Sequence, residues 1–231
     1  MMDNITKQQY GSSSSLCDYI LKHQIEEIGP KEVIDFGSGC GKNGRIAKEV
    51  LGKDCRLIAI EGYERTAKML VEQGIYHEVQ HDLLQVWIQR DSHHYDLAIF
   101  GDVLGHLTPR EIHWVIKKSI KKFDHIIIVT PLQEIFQEET YGNPLEVHRT
   151  YIISCFFDRY SPIEKHIVRG TKWTIMNVRI LSKLKKDPLY RRMSWYIFQE
   201  CMIVLQPLGL ARPFVNFLKR YLIKYKWLLR G

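Results

Sequence analysis

The stretch VIDFGSGCGKNG, residues 33–44, constrains the fold more than any other part of the chain. An apolar strand run ends directly in Gly37, and Gly39 and Gly41 follow before a helical pattern begins near Asn43. Glycines at such a turn permit positive φ and let bare backbone approach a ligand, while the helix N-terminus beyond offers N–H groups without intrahelical partners. A strand, a glycine-rich turn and a helix in this order make the nucleotide-binding corner of an open α/β sheet. The same pattern also occurs as a turn without a ligand, so the loop alone does not fix a function.

The rest of the chain agrees with that corner. The strand-like runs VIDF, RLIAI, YDLAIF and HIIIV alternate with helical spacing over Asn43–Leu51, Tyr63–Glu72 and Pro109–Lys122, and a weaker strand falls near Tyr76–Gln80. Thr108 and Pro109 supply an N-cap and a first helical residue. Ser15–Ile28 reads as a lead-in helix with a serine cap. IEKHIVR and WTIMNVRIL, separated by Gly-Thr-Lys, read as an antiparallel hairpin closing the sheet. The expected fold class is α/β: a Rossmann-like seven-stranded sheet with helices on both faces and a C-terminal hairpin. Residues 1–182 form this domain, and 183–231 form a basic helical extension.

Composition narrows the classes further. The 231 residues are 45% hydrophobic and 26% charged, which excludes disorder, collagen and a disulfide scaffold. Five widely spaced cysteines form no C-x-x-C pair, so a reducing compartment and no zinc site are expected. The opening MMDNITKQQYGSSSS lacks a basic stretch followed by an apolar run, and a cytoplasmic location is expected. The net charge of +7 is unevenly spread: residues 1–182 carry 22 Lys+Arg against 24 Asp+Glu, and residues 183–231 carry 11 against two. The basic excess therefore sits in the extension.

Two acidic residues sharpen the glycine loop. Asp35 precedes Gly37 by two positions, where a carboxylate repels a dinucleotide phosphate and suits a cationic ammonium. Glu61 ends the second strand, 24 residues after Gly37, where a carboxylate can accept both ribose hydroxyls. No G-x-x-x-x-G-K-[ST] is present. The ligand that fits has an adenosine-like ribose and a positive amino-acid end, as S-adenosylmethionine does.

With these motifs the sequence resembles the class I S-adenosylmethionine-dependent methyltransferases, over roughly residues 30–180. The resemblance implies that Asp35, Gly37, Ser38, Gly39 and Gly41 form the first cofactor loop and that Glu61 holds the ribose. It implies that Asp82, beside Leu83 in QHDLL, meets the adenine amino group, and that Phe100, Gly101 and Asp102 of DLAIFGDVLGHLT line the cofactor. One departure is Gly105, where relatives often carry an acidic residue.

In the polar stretch TPLQEIFQEETYGNPLEVHRT, Asn143, Pro144, Glu146 and His148 resemble the NP-x-E-x-H of some small-molecule and glycan-associated methyltransferases. An oxygen acceptor, small or sugar-containing, would then attack the methyl in line. His148 is the first choice of base, because an ordinary imidazole titrates near working pH, and His106 is the second; a purely structural role is the alternative for each. Glu146 is read as fixing the loop by hydrogen bonding. No metal constellation emerges.

Beyond Pro213, the apolar residues Phe214, Phe217, Leu218, Tyr221, Leu222, Tyr225, Leu228 and Leu229 share one broad helical face, with Lys219, Arg220, Lys226 and Arg230 away from it. Such a basic amphipathic helix can pack on the domain or on a second copy in a homodimer. It can also lie in an anionic membrane surface, where a lipid-linked acceptor would be met. RNA contact ranks third, without a recognisable RNA-binding module. An RNA or protein methyltransferase remains the enzymatic alternative, and a cofactor-binding scaffold the non-enzymatic one.

Overall fold

The computed structural model describes residues 14–132, 139, 142–171 and 173–181. The extension expected over 183–231 lies outside the described residues. A short 3₁₀ turn, Ser15–Cys17, capped by the Ser14 side chain, leads into α1 (Asp18–Ile28). There follow β1 (Glu32–Phe36), α2 (Lys42–Leu51), β2 (Arg56–Glu61), α3 (Glu64–Gln73), β3 (Glu78–His81), α4 (Leu84–Arg90) and β4 (Tyr95–Gly101). The chain continues through α5 (Pro109–Lys122), β5 (Phe123–Pro131), β6 (Glu164–Arg169) and β7 (Thr174–Leu181).

The seven strands lie in the order β3-β2-β1-β4-β5-β7-β6. The first five are parallel neighbours, and β7 runs antiparallel to both β5 and β6. The hairpin thus closes the sheet with its second strand on the inside and its first at the edge. Right-handed crossovers place helices on both faces. On one, Val33, Leu57, Ala59, Leu97, Ile99 and Ile127 pack against Leu21 and Ile25 of α1, Ala47 of α2 and Leu70 of α3. Alternation sends Ile34, Phe36, Ile58, Phe100 and Ile128 to the other, under Trp87 of α4 and Ile112 and Ile116 of α5. Phe36 sits among three rings there: it stacks on Phe100 at 4.8 Å and meets Trp87 and Phe123 edge-on at 5.4 and 5.9 Å.

Helix α5 starts where its sequence signals put it. Thr108 and Glu111 form a reciprocal capping box and Pro109 occupies the first turn. Two local readings differ from the structure. The third strand begins at Glu78, not Tyr76, because the Tyr76 ring turns inward and is buried. Helix α4 was not anticipated: its seven residues, LQVWIQR, are too few to show a helical period, and Trp87 and Ile88 bury it against the sheet.

Gly44, inside α2, tests packing against propensity. Alanine ordinarily favours a helix interior over glycine by about 1 kcal/mol. A Cβ at Gly44, however, would lie 2.3 Å from the Tyr76 ring. Gly44→Ala is therefore expected to destabilise the protein by about 2 kcal/mol, read as a lower midpoint in urea unfolding, whereas propensity alone would raise it.

Candidate active site

The carboxyl ends of β1, β2 and β4 meet at the glycine loop. Gly37, Gly39 and Gly41 have φ of 64°, 52° and 78°, in the left-handed region. Gly37 N donates to Ile60 O at 2.9 Å, and a Cβ on Gly37 would strike the Val103 side chain at 2.5 Å. Space and conformation both demand glycine there. The Ser38 hydroxyl turns back to donate to Asp35 O at 2.8 Å.

Asp35 is buried beneath the loop. Its carboxylate accepts a 2.6 Å hydrogen bond from Tyr76 Oη and one of 3.2 Å from Asn43 Nδ2. Asn43 reaches it because Gly101 has no side chain: a Cβ there would stand 2.2 Å from Asn43 Nδ2. Burial, opposed by these two hydrogen bonds, pushes the Asp35 carboxyl up to about 6.

Glu61, 6% exposed, ends β2 beside the loop. Its Oε2 accepts from Gly39 N at 3.0 Å and its Oε1 from Tyr63 N at 2.9 Å, leaving lone pairs on both oxygens for hydroxyl donors. Burial raises its pKa despite those bonds. Asp82 follows β3, where its backbone N donates to Glu61 O at 3.1 Å and its carboxylate pairs with Arg90 at 2.8 Å. Leu83 is exposed next to it, and with Leu145 it closes over Gly62, whose added Cβ would meet them at 3.1 and 2.7 Å.

Asp102, just beyond β4, holds a φ of 60° that few non-glycine residues adopt. Its amide donates to Val129 O at 2.7 Å, which fixes the turn to β5. Among the described residues its buried Oδ1 has no hydrogen-bond partner. Burial first, and the Glu146 charge second, push this carboxyl up to about 7. Phe100 is placed differently: its side chain is fully buried against Phe36, on the opposite sheet face from Asp35.

A strap, Asn143 to Thr150, crosses this edge of the sheet. The Asn143 side chain accepts from Leu145 N at 3.0 Å and donates to Glu146 Oε1 at 3.3 Å, which fixes the turn as its sequence suggested. Arg149 N and Thr150 N both donate to Gly105 O, at 2.9 and 3.1 Å. The strap thereby sets His148 against Gly105, where a Cβ would stand 3.3 Å from the imidazole Cε1 and Nδ1. The His106 and His148 rings meet edge-to-face at 4.6 Å, and His106 Nδ1 lies 3.4 Å from Val147 O. Burial, then the His106 charge, push His148 down to about 4. The imidazole is therefore neutral across physiological pH but a weaker base than the ordinary one assumed from sequence. Burial also lowers His106.

Sequence reasoning passed over Tyr76 and Asn43, which hold Asp35, and did not place the Glu146 charge beside Glu61 and Asp102. Asn43 carried a readable signal, as the first-turn residue of the helix after a glycine loop. Four carboxylates on one edge, two of them pushed up to 6 and 7, make a site that favours a cation.

No protein-family model matches the chain, and no curated protein does. Solved structures do match. TehB from Haemophilus influenzae superposes with a TM-score of 0.55 at 12% identity over 71% of this chain and 62% of that one. The N-terminal domain of EvdMO1, solved with SAH bound, gives 0.53 at 12% identity over 73% and 82%. Magnesium protoporphyrin IX methyltransferase (ChlM) from Synechocystis PCC 6803, with bound SAM, gives 0.51 at 13% identity over 75% and 88%. The fold is that of the class I S-adenosylmethionine-dependent methyltransferases. In this class I sheet, Asp35, Gly37, Gly39, Gly41, Glu61, Asp82 and Asp102 gather along the carboxyl edge, with His106 against His148 of the strap.

Asp102 makes a pH-dependent test. A carboxyl whose pKa rises on folding contributes stability below its unfolded value near 4, and that contribution is lost as pH rises through about 7. Asp102→Asn removes the titration and keeps a residue that tolerates positive φ. The ligand-free variant is expected to be more stable than the parent by about 4 kcal/mol at pH 8, with the difference vanishing near pH 4, in paired urea titrations.

Proposed function

We propose that the chain is an S-adenosylmethionine-dependent methyltransferase that methylates an oxygen of a small or sugar-containing acceptor, lipid-linked acceptors included. The observation that carries this reading is the glycine-lined acidic edge of a class I sheet, where Asp102 leaves a buried oxygen without a partner. Buried like-charged carboxylates are costly even with Arg90 paired to Asp82, and a ligand bearing ammonium and sulfonium charge would relieve that cost.

Glu61 would accept the ribose hydroxyls, Asp82 and Leu83 would flank the adenine, and the loop from Gly37 to Gly41 would cradle the amino-acid end above Asp35. Phe100 would contribute through its backbone, and Gly101 and Asp102 would close that side. S-adenosylmethionine supplies an electrophilic methyl group and leaves as S-adenosylhomocysteine. The protein's own part is alignment, exclusion of water and removal of one proton. His148 accepts the acceptor hydroxyl proton at a ring nitrogen, and its neutral state at pH 7 leaves that nitrogen open. His106, held against the Val147 carbonyl, keeps the His148 ring in place. The basic extension over 183–231 would hold the enzyme at an anionic surface or against a second copy.

Calorimetry tests the cofactor and kinetics tests the base. S-adenosylmethionine and S-adenosylhomocysteine are expected to bind while NADH does not, and Glu61→Ala is expected to weaken both by tenfold or more. His148→Ala is expected to keep cofactor affinity and to lose roughly a hundredfold in kcat toward the acceptor found by screening glycans and lipid-linked sugars. Failure of a well-folded protein to bind either sulfur ligand would overturn the reading.

A further inference from the structure

The face of α5 turned away from the sheet is more basic than the domain that carries it. At about 100° per residue, Arg110, Trp114, Lys117, Lys118 and Lys121 share one side of this helix. All four of these cations are exposed, and Lys118 Nζ lies 5.6 Å from the centre of the Trp114 ring. They extend along roughly 16 Å of helix, within a domain of slightly negative net charge.

The first turn of α5 stands beside the candidate acceptor mouth. Pro109 follows His106 by three residues, and the charge of Arg149, next to His148, reaches Glu111. Glu111 also accepts from Gln85 of α4 at 3.4 Å, which joins α4 to the same corner. There three aliphatic side chains are exposed: Leu83 by 44%, Val86 by 48% and Leu145 by 40%. Leu83 and Leu145 converge over Gly62, and Val86 lies one turn further along α4. Aliphatic tips thus stand at this corner, and the row of cations runs from it along α5 toward the opposite edge of the sheet.

We infer that α4, α5 and the strap form a docking face for an anionic lipid surface, presenting the site mouth to the headgroups. The chemistry selects lipid over nucleic acid. Leu and Val tips enter an acyl boundary but give bases no ring to stack on, and the Lys118 ammonium lies over one face of the Trp114 ring. Among the described residues no helix is long and apolar enough to cross a membrane, so the contact is peripheral. That this face delivers a lipid-linked acceptor rests on the methyltransferase reading; the docking itself does not. It is separate from any contribution of residues 183–231.

Flotation of the full chain with vesicles tests the face. Vesicles of phosphatidylcholine alone are compared with an equal mixture of phosphatidylcholine and phosphatidylglycerol. The parent is expected to bind only the anionic vesicles and to lose binding as salt is raised. Lys117→Glu/Lys121→Glu is expected to cut the partition coefficient at least tenfold, since each cation near such a surface contributes roughly a fivefold gain. Val86→Ser is expected to cut it severalfold. Equal binding by parent and double variant would overturn the inference and assign the contact to 183–231. Absence of parent binding would overturn it too, as would loss of affinity for a uridine oligonucleotide in the double variant with vesicle binding intact. Cofactor calorimetry on the same samples verifies folding. A parent that binds vesicles but no sulfur ligand would sink the methyltransferase reading and leave the docking face standing.

Discussion

One buried carboxylate, Asp35, ties together three elements at the carboxyl edge of the sheet. It sits at the last turn of β1 before the glycine loop, and its two oxygens fasten Asn43 on α2 and Tyr76 in the connection before β3. Unpaired, such a group would cost several kcal/mol in a protein interior. The hydrogen bonds offset part of that, so the carboxylate becomes a fixed point for three elements. Asn43 in turn requires Gly101 at the end of β4, and Tyr76 requires Gly44 in α2. Two of the chain's glycines are therefore set by one carboxylate's partners, without any demand from backbone conformation.

The same burial makes the edge electrostatically unfinished. Glu61 accepts from the amides of Gly39 and Tyr63, Asp35 from its two neighbours, and Asp82 lies against the Arg90 charge, but the buried Asp102 Oδ1 has neither a hydrogen bond nor an ion pair among the described residues. Glu146, carried in by the strap, adds a further like charge. Lys42, whose charge acts on both Asp35 and Asp102, donates to Asp18 and to the Ser14 carbonyl. Charges arranged in this way favour a cation, and the fold carries their mutual repulsion.

Legibility in the sequence followed the range of the interactions. The glycine loop, the Thr108–Glu111 cap and the alternation of strands and helices are local, and each was readable from neighbouring residues. Helix α4 was not, because a seven-residue element is decided by burial of Trp87 and Ile88 against the sheet. Tyr76 read as a strand residue for the same reason: its β propensity is local, while its partner Asp35 lies 41 positions away. The acidic residues and glycines that the motifs single out do lie together on the carboxyl edge of the sheet. The electrostatics of the site were not legible, since the low pKa of His148 arises from burial and from His106, 42 positions earlier.

Gly105 joins these levels. Its position in DVLGHL reads as a departure from an acidic pattern, and nothing local requires glycine there, as its φ is not positive. The strap supplies the reason. Gly105 O anchors two successive strap amides, and the missing side chain leaves the van der Waals space that the His148 ring fills. A carboxylate at this position would occupy the imidazole's place and would add yet another negative charge beside Asp102 and Glu146. The glycine therefore leaves the β4 loop without an acid and makes room for the neutral His148 imidazole, whose place depends on how the strap is held.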